Sequence, residues 1–189
     1  MNQISADLAH CILTTIDNKK VSFESLYAEE TTLIFFVRHF GCIFCRERVS
    51  SLLRALPLLE SQPIKVCVVG NGDIDYASDF VEQLALPFPV YCDLEGDAYR
   101  LAGMQRNFGL KLSTLKDAWR SYQSGHRQHK TAGNVWQQGG VLVVTPKGTL
   151  LETHADKSAG EYMNIPEFIE RVIEKLSSIQ EPSSRVELS

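Results

Sequence analysis

No stretch of this chain approaches the roughly 20 consecutive apolar residues that a bilayer-spanning helix requires, so a helical membrane span is not expected. A basic excess is lacking as well. The formal net charge is -4, which leaves no electrostatic footprint for nucleic acid. Residues 1–10 lack the basic segment and following apolar run of a secretory signal, and the expected compartment is the cytosol. There is no second CxxC and no paired-histidine motif, although tetrahedral zinc needs two ligands beyond one such pair. Gly70-Asn71-Gly72 lacks the third glycine of a dinucleotide fingerprint and reads as a turn. No Ser-His-Asp or paired-carboxylate arrangement, internal repeat or low-complexity block emerges, and no cofactor or metal is expected.

What is present is an ordinary globular composition over 189 residues, enough for one well-buried domain. That domain is expected over residues 1–177, with a polar, disordered tail over 178–189. The five cysteines are odd in number and not spaced as a disulfide framework. Cys11, Cys67 and Cys92 each fall in a short apolar, β-like run and read as buried strand cysteines packing as small hydrophobes. Cys42 and Cys45 differ in spacing and in context.

The order of elements supplies that context. Residues 11–15 and 20–23 flank a polar turn and read as a hairpin. Thr31–Val37 is β-branched and aromatic without polar alternation, as a strand buried on both faces would be. From Ile43 the period changes: Val49, Leu52, Leu53, Leu56 and Leu59 recur at helical spacing, with Glu47, Arg48, Ser50 and Arg54 off the stripe. Pro57 kinks or ends that helix. Strands at 64–69 and 88–92 alternate with helices at 76–84 and 97–104, and a further helical segment spans 110–124. Strands at 140–145 and 149–154 are joined by Pro146-Lys147-Gly148, a hairpin signal. Asn164, Pro166 and Glu167 then open a last helix. The pattern defines an α/β class with a mixed central β-sheet, helices on both faces, an N-terminal β-hairpin and a helical insertion before the C-terminal β-hairpin, which is the thioredoxin-like fold.

A cysteine pair at CxxC spacing, placed after a central strand and opening a helix, suits redox chemistry. First-turn amides and the helix dipole favour a thiolate, and a second sulfur one turn on can resolve a sulfenic acid or mixed disulfide. Cys42 and Cys45 are thus the candidate catalytic residues. By dipole and exposure Cys42 is the expected nucleophile and Cys45 its partner, although a peroxidatic cysteine one turn into the helix would be Cys45. Arg38, His39, Arg46 and Arg48 are the nearby cations that would favour a thiolate, and Gly41 would leave the approach to Cys42 open.

Val37-Arg38-His39-Phe40-Gly41-Cys42-Ile43-Phe44-Cys45-Arg46-Glu47 resembles the active-site segment of the peroxiredoxin-like family 2, or AhpC/TSA-like antioxidant family. Phe88-Pro89-Val90-Tyr91-Cys92-Asp93, the run from Tyr99 to Met104, and Gln138-Gly139-Gly140 with the later segment from His154 to Gly160 agree with it. The resemblance covers roughly residues 21–176. It implies a thioredoxin-like fold and thiol-dependent reduction of a peroxide, an endoperoxide or a related small electrophile. The sequence departs from the wider families at two places. Cys42 and Arg38 stand where a peroxiredoxin has Thr and Pro, and Gly139-Gly140 stand where a thioredoxin has its cis-proline. Glycine there would allow close backbone approach by a substrate.

The expected partners are a small-molecule oxidant and a thioredoxin- or glutathione-type electron donor, with no nucleic acid; oligomeric state is open, a homodimer among the options. Lys111, Lys116, Arg120, Arg127, Lys130, His126 and His129 make residues 110–130 locally basic, which reads as a solvated face or as a lid over an anionic substrate. Trp119, Tyr122 and Trp136 read as packing residues. Two other functions compete with a thiol oxidoreductase: a non-catalytic redox sensor or binding module on the same fold, and a metal-carrying thiol protein.

Overall fold

The computed structural model describes residues 2–60, 62–104, 136–157 and 163–180. Eight strands form one sheet: β1 (Asn2–Gln3), β2 (Ile12–Thr15), β3 (Lys20–Ser22), β4 (Thr31–Val37), β5 (Ile64–Gly70), β6 (Val90–Cys92), β7 (Gly140–Val144) and β8 (Thr149–Ala155). Their order across the sheet is β1-β8-β7-β4-β5-β6-β2-β3. β4, β5 and β6 run parallel, and every other pairing is antiparallel, so the sheet is mixed as expected. The helices are α1 (Ala6–Ala9), α2 (Ile43–Ala55), α3 (Ile74–Leu84), α4 (Asp97–Leu101) and α5 (Ile165–Gln180).

β4 explains its own sequence. It lies between β5 and β7 with all seven residues buried, so neither face tolerates a solvated side chain. Leu33, Phe35 and Val37 face one core cluster with residues of α2, α3 and α5. Ile34 and Phe36 face the other, with Leu8 of α1 and Ala98 and Tyr99 of α4. That alternation is the period-2 pleat dividing one strand between two cores. Helices therefore cover both faces, which is the expected architecture.

Several boundaries move, each for a local reason. α2 ends at Ala55 and passes into a 3₁₀ turn, Leu56–Leu58, that accommodates Pro57. α3 starts two residues earlier than its apolar spacing indicated, because Asp73 caps it by accepting from the Tyr76 amide. α5 has its cap at Asn164, whose Oδ1 accepts from the Glu167 amide at 3.4 Å while its Nδ2 donates to Glu167 Oε2 at 3.2 Å. It runs to Gln180, beyond the boundary at 177 drawn from composition. β1 and α1 carry no periodicity that a sequence pattern could register; β1 is held by pairing Asn2 and Gln3 with Leu150 and Thr149 of β8. The expected helix at 110–124, with Trp119, Tyr122 and the basic run, lies outside the described residues. Trp136, read as a packing residue, keeps 46% exposure.

One contact ties the sheet to the cysteine loop. Tyr99, fully buried on α4, places its hydroxyl between the carbonyls of Val37 and Val69 and donates to both, at 3.1 Å to Val69 O. Its backbone is fixed by Asp93, whose carboxylate accepts from the Gly96, Asp97 and Tyr99 amides. Tyr99→Phe deletes that bridge and the one hydroxyl proton the two buried carbonyls share, so urea unfolding is expected to show a loss of about 1–2 kcal/mol. An unchanged midpoint would mean that the hydroxyl contributes nothing net.

Candidate active site

The cysteine loop leaves the C-terminal end of β4 and closes directly onto α2. Cys42 is the N-cap, with extended backbone (φ -75, ψ 122), and its amide donates to His39 O at 3.1 Å. The loop is pinned by Phe40, whose ring lies so close over Gly70 that a Cβ there would fall 2.2 Å from it; the same ring packs 5.5 Å from Phe80. Only glycine at the end of β5 permits that approach.

Both sulfurs are free thiols facing one another across the first turn. Cys42 sulfur accepts from the Cys45 thiol, which is the largest influence lowering its pKa. Burial opposes it, and Arg38 with the amides of Cys45 and Phe44 adds to it, bringing Cys42 from 9.0 down to about 6. Arg38 Nη1 lies 3.8 Å from Cys42 Sγ. Cys45 is pushed well above the ordinary range, first by burial and then by the negative partner beside it. Its sulfur accepts from the Arg38 amide at 3.2 Å. The pair is thus polarised into a more acidic thiol at the helix start and a protonated partner one turn on.

Among the other expected site residues, Arg38 is the one the structure brings against the sulfurs. His39 is 3% exposed, its Nδ1 finds no donor or acceptor, and burial followed by the Arg38 charge lowers it to about 4. It is neutral at pH 7 and contributes its carbonyl, not a cation. Arg46 turns aside, donating to Gln83 Oε1 at 2.8 Å and lying 5.4 Å over the Phe80 ring. Arg48 is paired with Asp156, the residue that follows β8. Glu47 and Arg48, off the apolar stripe by spacing, are both buried, because the start of α2 is enclosed on more than one side.

Two expectations about access are corrected. Gly41 does not leave Cys42 open: Gly41 is itself buried, and Cys42 and Cys45 are only 2% and 3% exposed, so exposure does not separate the two sulfurs. The space beside Gly139 and Gly140 belongs to the protein. A Cβ on Gly139 would lie 2.7 Å from Phe36 O and 2.8 Å from Asp156 Oδ2, and one on Gly140 would lie 2.3 Å from His154 O. These glycines allow strands and a carboxylate to close up rather than a substrate to approach.

The remaining cysteines behave as packing groups. Cys67 and Cys92 are buried in β5 and β6, with thiols raised by burial, Cys92 to about 12. Cys11 departs from expectation: it precedes β2 instead of lying in it and is half-buried, its thiol raised to about 11 by burial and by Asp93 and Asp97. Among the described residues, no group of three or more His, Cys, Asp or Glu is placed to hold a metal ion, and no helix is long and apolar enough to cross a membrane.

A CxxC pair at the head of a helix, on a mixed sheet covered on both faces, defines a dithiol carried on a thioredoxin-like fold. The family described as AhpC/TSA antioxidant enzyme matches residues 51–158, more than half of the sequence, and the chain belongs to that family. The match begins just past the cysteine pair. The chain is 28% identical over 163 residues to thioredoxin-like protein AAED1, chloroplastic, of Arabidopsis thaliana, covering 79% of this chain and 65% of that protein, a little under two thirds of its length. It is 23% identical over 184 residues to peroxiredoxin-like 2C of Mus musculus, covering 89% and 80%. To prostamide/prostaglandin F synthase of Xenopus tropicalis it is 23% identical over 177 residues, covering 88% of each. Among solved structures, the bacterioferritin comigratory protein of Xanthomonas campestris superposes with a TM-score of 0.63 at 12% identity, covering 95% of this chain and 98% of that one, a likeness of fold.

Proposed function

We propose that the protein is a thiol oxidoreductase that reduces a peroxide, an endoperoxide or a related small electrophile through a Cys42–Cys45 dithiol/disulfide cycle. The observation that carries this is the polarised pair: Cys42 caps the helix with Arg38 Nη1 3.8 Å from its sulfur and the Cys45 thiol donating to it, which lowers its thiol pKa. Cys42 thiolate attacks one peroxide oxygen, the O–O bond breaks, and the other oxygen leaves as alkoxide or hydroxide and takes a proton. With a hydroperoxide the product on Cys42 is a sulfenic acid. Cys45 then attacks that sulfur, forming the disulfide and releasing water. With an endoperoxide the first product is a sulfenate ester, and resolution releases the second hydroxyl of a diol. Two thiols of a thioredoxin- or glutathione-type donor return the pair to its reduced form. The name of the frog relative is what favours an endoperoxide among these substrates. For the compartment we propose the cytosol, although the Arabidopsis relative is chloroplastic by name.

Burial of both sulfurs, at 2% and 3%, is the observation on the side of a redox sensor or binding module. A thiol titration separates the two readings. One equivalent of peroxide should remove two thiols far faster than it oxidises free cysteine, and a dithiol should restore both. Oxidation no faster than that of free cysteine would rule out the enzyme.

A further inference from the structure

Arg38 is the cation on Cys42, and Arg38 is itself held by the segment that precedes β7. Its Nε donates to Gln137 O at 3.0 Å while Nη1 reaches toward Cys42 Sγ. The next two residues of that segment are fastened to the backbone of Asp156, whose place is set in turn by what its carboxylate holds. Gln138 Nε2 donates to Asp156 O at 2.5 Å, and the Asp156 amide donates to Gly139 O at 3.0 Å. Gly139 is the floor shared by both groups: a Cβ there would lie 2.8 Å from Asp156 Oδ2 and 3.4 Å from Arg38 Cγ. The carboxylate is anchored in turn from α2. Arg48 Nη1 donates to Asp156 Oδ2, and the Arg48 guanidinium lies 5.0 Å over the Phe35 ring. The contacts therefore close a loop that starts and ends on α2, from Arg48 through Asp156, residues 137–139 and Arg38 to Cys42.

We propose that Asp156, locked by Arg48, is a positioning residue for the Cys42 thiolate: it fixes residues 137–139 so that Arg38 stays against the sulfur. This rests on the reading of Cys42 as the reacting sulfur. Among the described residues, the charged and titratable groups that act on the pair are Arg38, Cys45, Arg46, the neutral His39 and, toward Cys45, Tyr99. Those on Asp156 are Arg48 and His154, the latter with Nε2 3.5 Å from Oδ1. Burial opposes ionisation of Asp156, but the Arg48 charge and the hydrogen bonds from His154 and Arg48 outweigh it and keep the carboxyl below its ordinary range, so it is charged at neutral pH.

The sign of the effect distinguishes positioning from a direct field. Removing a negative charge near a thiolate would by itself stabilise the thiolate and lower its pKa. Loosening Arg38 does the opposite. In Asp156→Asn, the pH profile of Cys42 alkylation by iodoacetamide, followed by peptide mass spectrometry on the full chain, is expected to move to higher pH. Its rate at pH 5 should fall about threefold per unit of movement, since tenfold less thiolate is offset in part by greater nucleophilicity. The limiting rate at high pH should not fall. Arg48→Lys keeps the charge but not the planar guanidinium that lies over Phe35, and is expected to move the profile the same way by less. A profile that stays put or moves down in folded Asp156→Asn, or in Arg48→Lys should the first variant not fold, overturns the proposal. A wild-type midpoint near 9 would instead overturn the reading of Cys42 on which it rests.

Discussion

Cys42→Ser is expected to abolish rapid peroxide-dependent thiol loss, whereas Cys45→Ser should consume one equivalent of peroxide and stop at a sulfenic acid on Cys42. The asymmetry follows from the electrostatics of the first turn. Cys45 lies well above its ordinary pKa of 9.0, and the largest cause, burial, survives when Cys42 becomes serine. Its thiolate fraction at pH 7 is then below about 1%, a deficit that its greater intrinsic nucleophilicity only partly offsets, and the Arg38 guanidinium is placed against the other sulfur, so Cys42→Ser should be slower by at least about 100-fold. Serine at position 45 keeps a hydroxyl that can still donate to Cys42, so the first step should survive. Mass spectrometry after limiting peroxide reads both outcomes directly. A sulfenic acid that accumulates on Cys45 in Cys42→Ser, with an inert Cys45→Ser, would reverse the assignment of nucleophile and partner.

The strand, the loop and the helix that frame this pair were legible because each has its own period. Thr31–Val37 has the unbroken apolar character of a central strand, and the change to helical spacing after Cys42 marks α2. The glycines at 139 and 140 could be singled out, but their purpose could not. A missing side chain says that something comes close; it does not say whether the neighbour is a substrate or, as here, a backbone carbonyl and a carboxylate. Asp156 was hidden for a related reason. It follows the final strand as an ordinary polar residue, and its partner Arg48 falls off the apolar stripe of α2, where a charge reads as solvated. Buried charge pairs between distant segments leave no local periodicity. The arginine cluster beside the cysteines was visible as a group, yet only geometry shows that one guanidinium serves the sulfurs, one is turned to Gln83 and one is neutralised by a carboxylate. His39 shows the same limit from the other side, because a histidine next to a thiolate suggests a cation and burial makes it neutral.

Arg38→Met is expected to slow reaction with peroxide by about 10²–10³-fold at every pH, which is more than its effect on the thiolate can explain. Lowering a thiol from 9.0 to about 6 supplies about 90-fold more thiolate at pH 7, but the weaker base is intrinsically less nucleophilic by roughly 20-fold. The net gain from acidity alone is about fourfold, too little to set this sulfur far above free cysteine. A fast reaction needs stabilisation of the negative oxygen that leaves when the O–O bond breaks. Arg38 is the guanidinium within 3.8 Å of Cys42 sulfur, close enough to serve both the attacking sulfur and an oxygen bonded to it. Alkylation and peroxide reaction should therefore separate in the variant. The alkylation profile should shift to higher pH and recover its full rate there, since iodide needs no such cation, while the peroxide rate should remain depressed on the high-pH plateau. Should the peroxide rate recover as fully as alkylation does, Arg38 acts on acidity alone and the leaving oxygen is stabilised by another group.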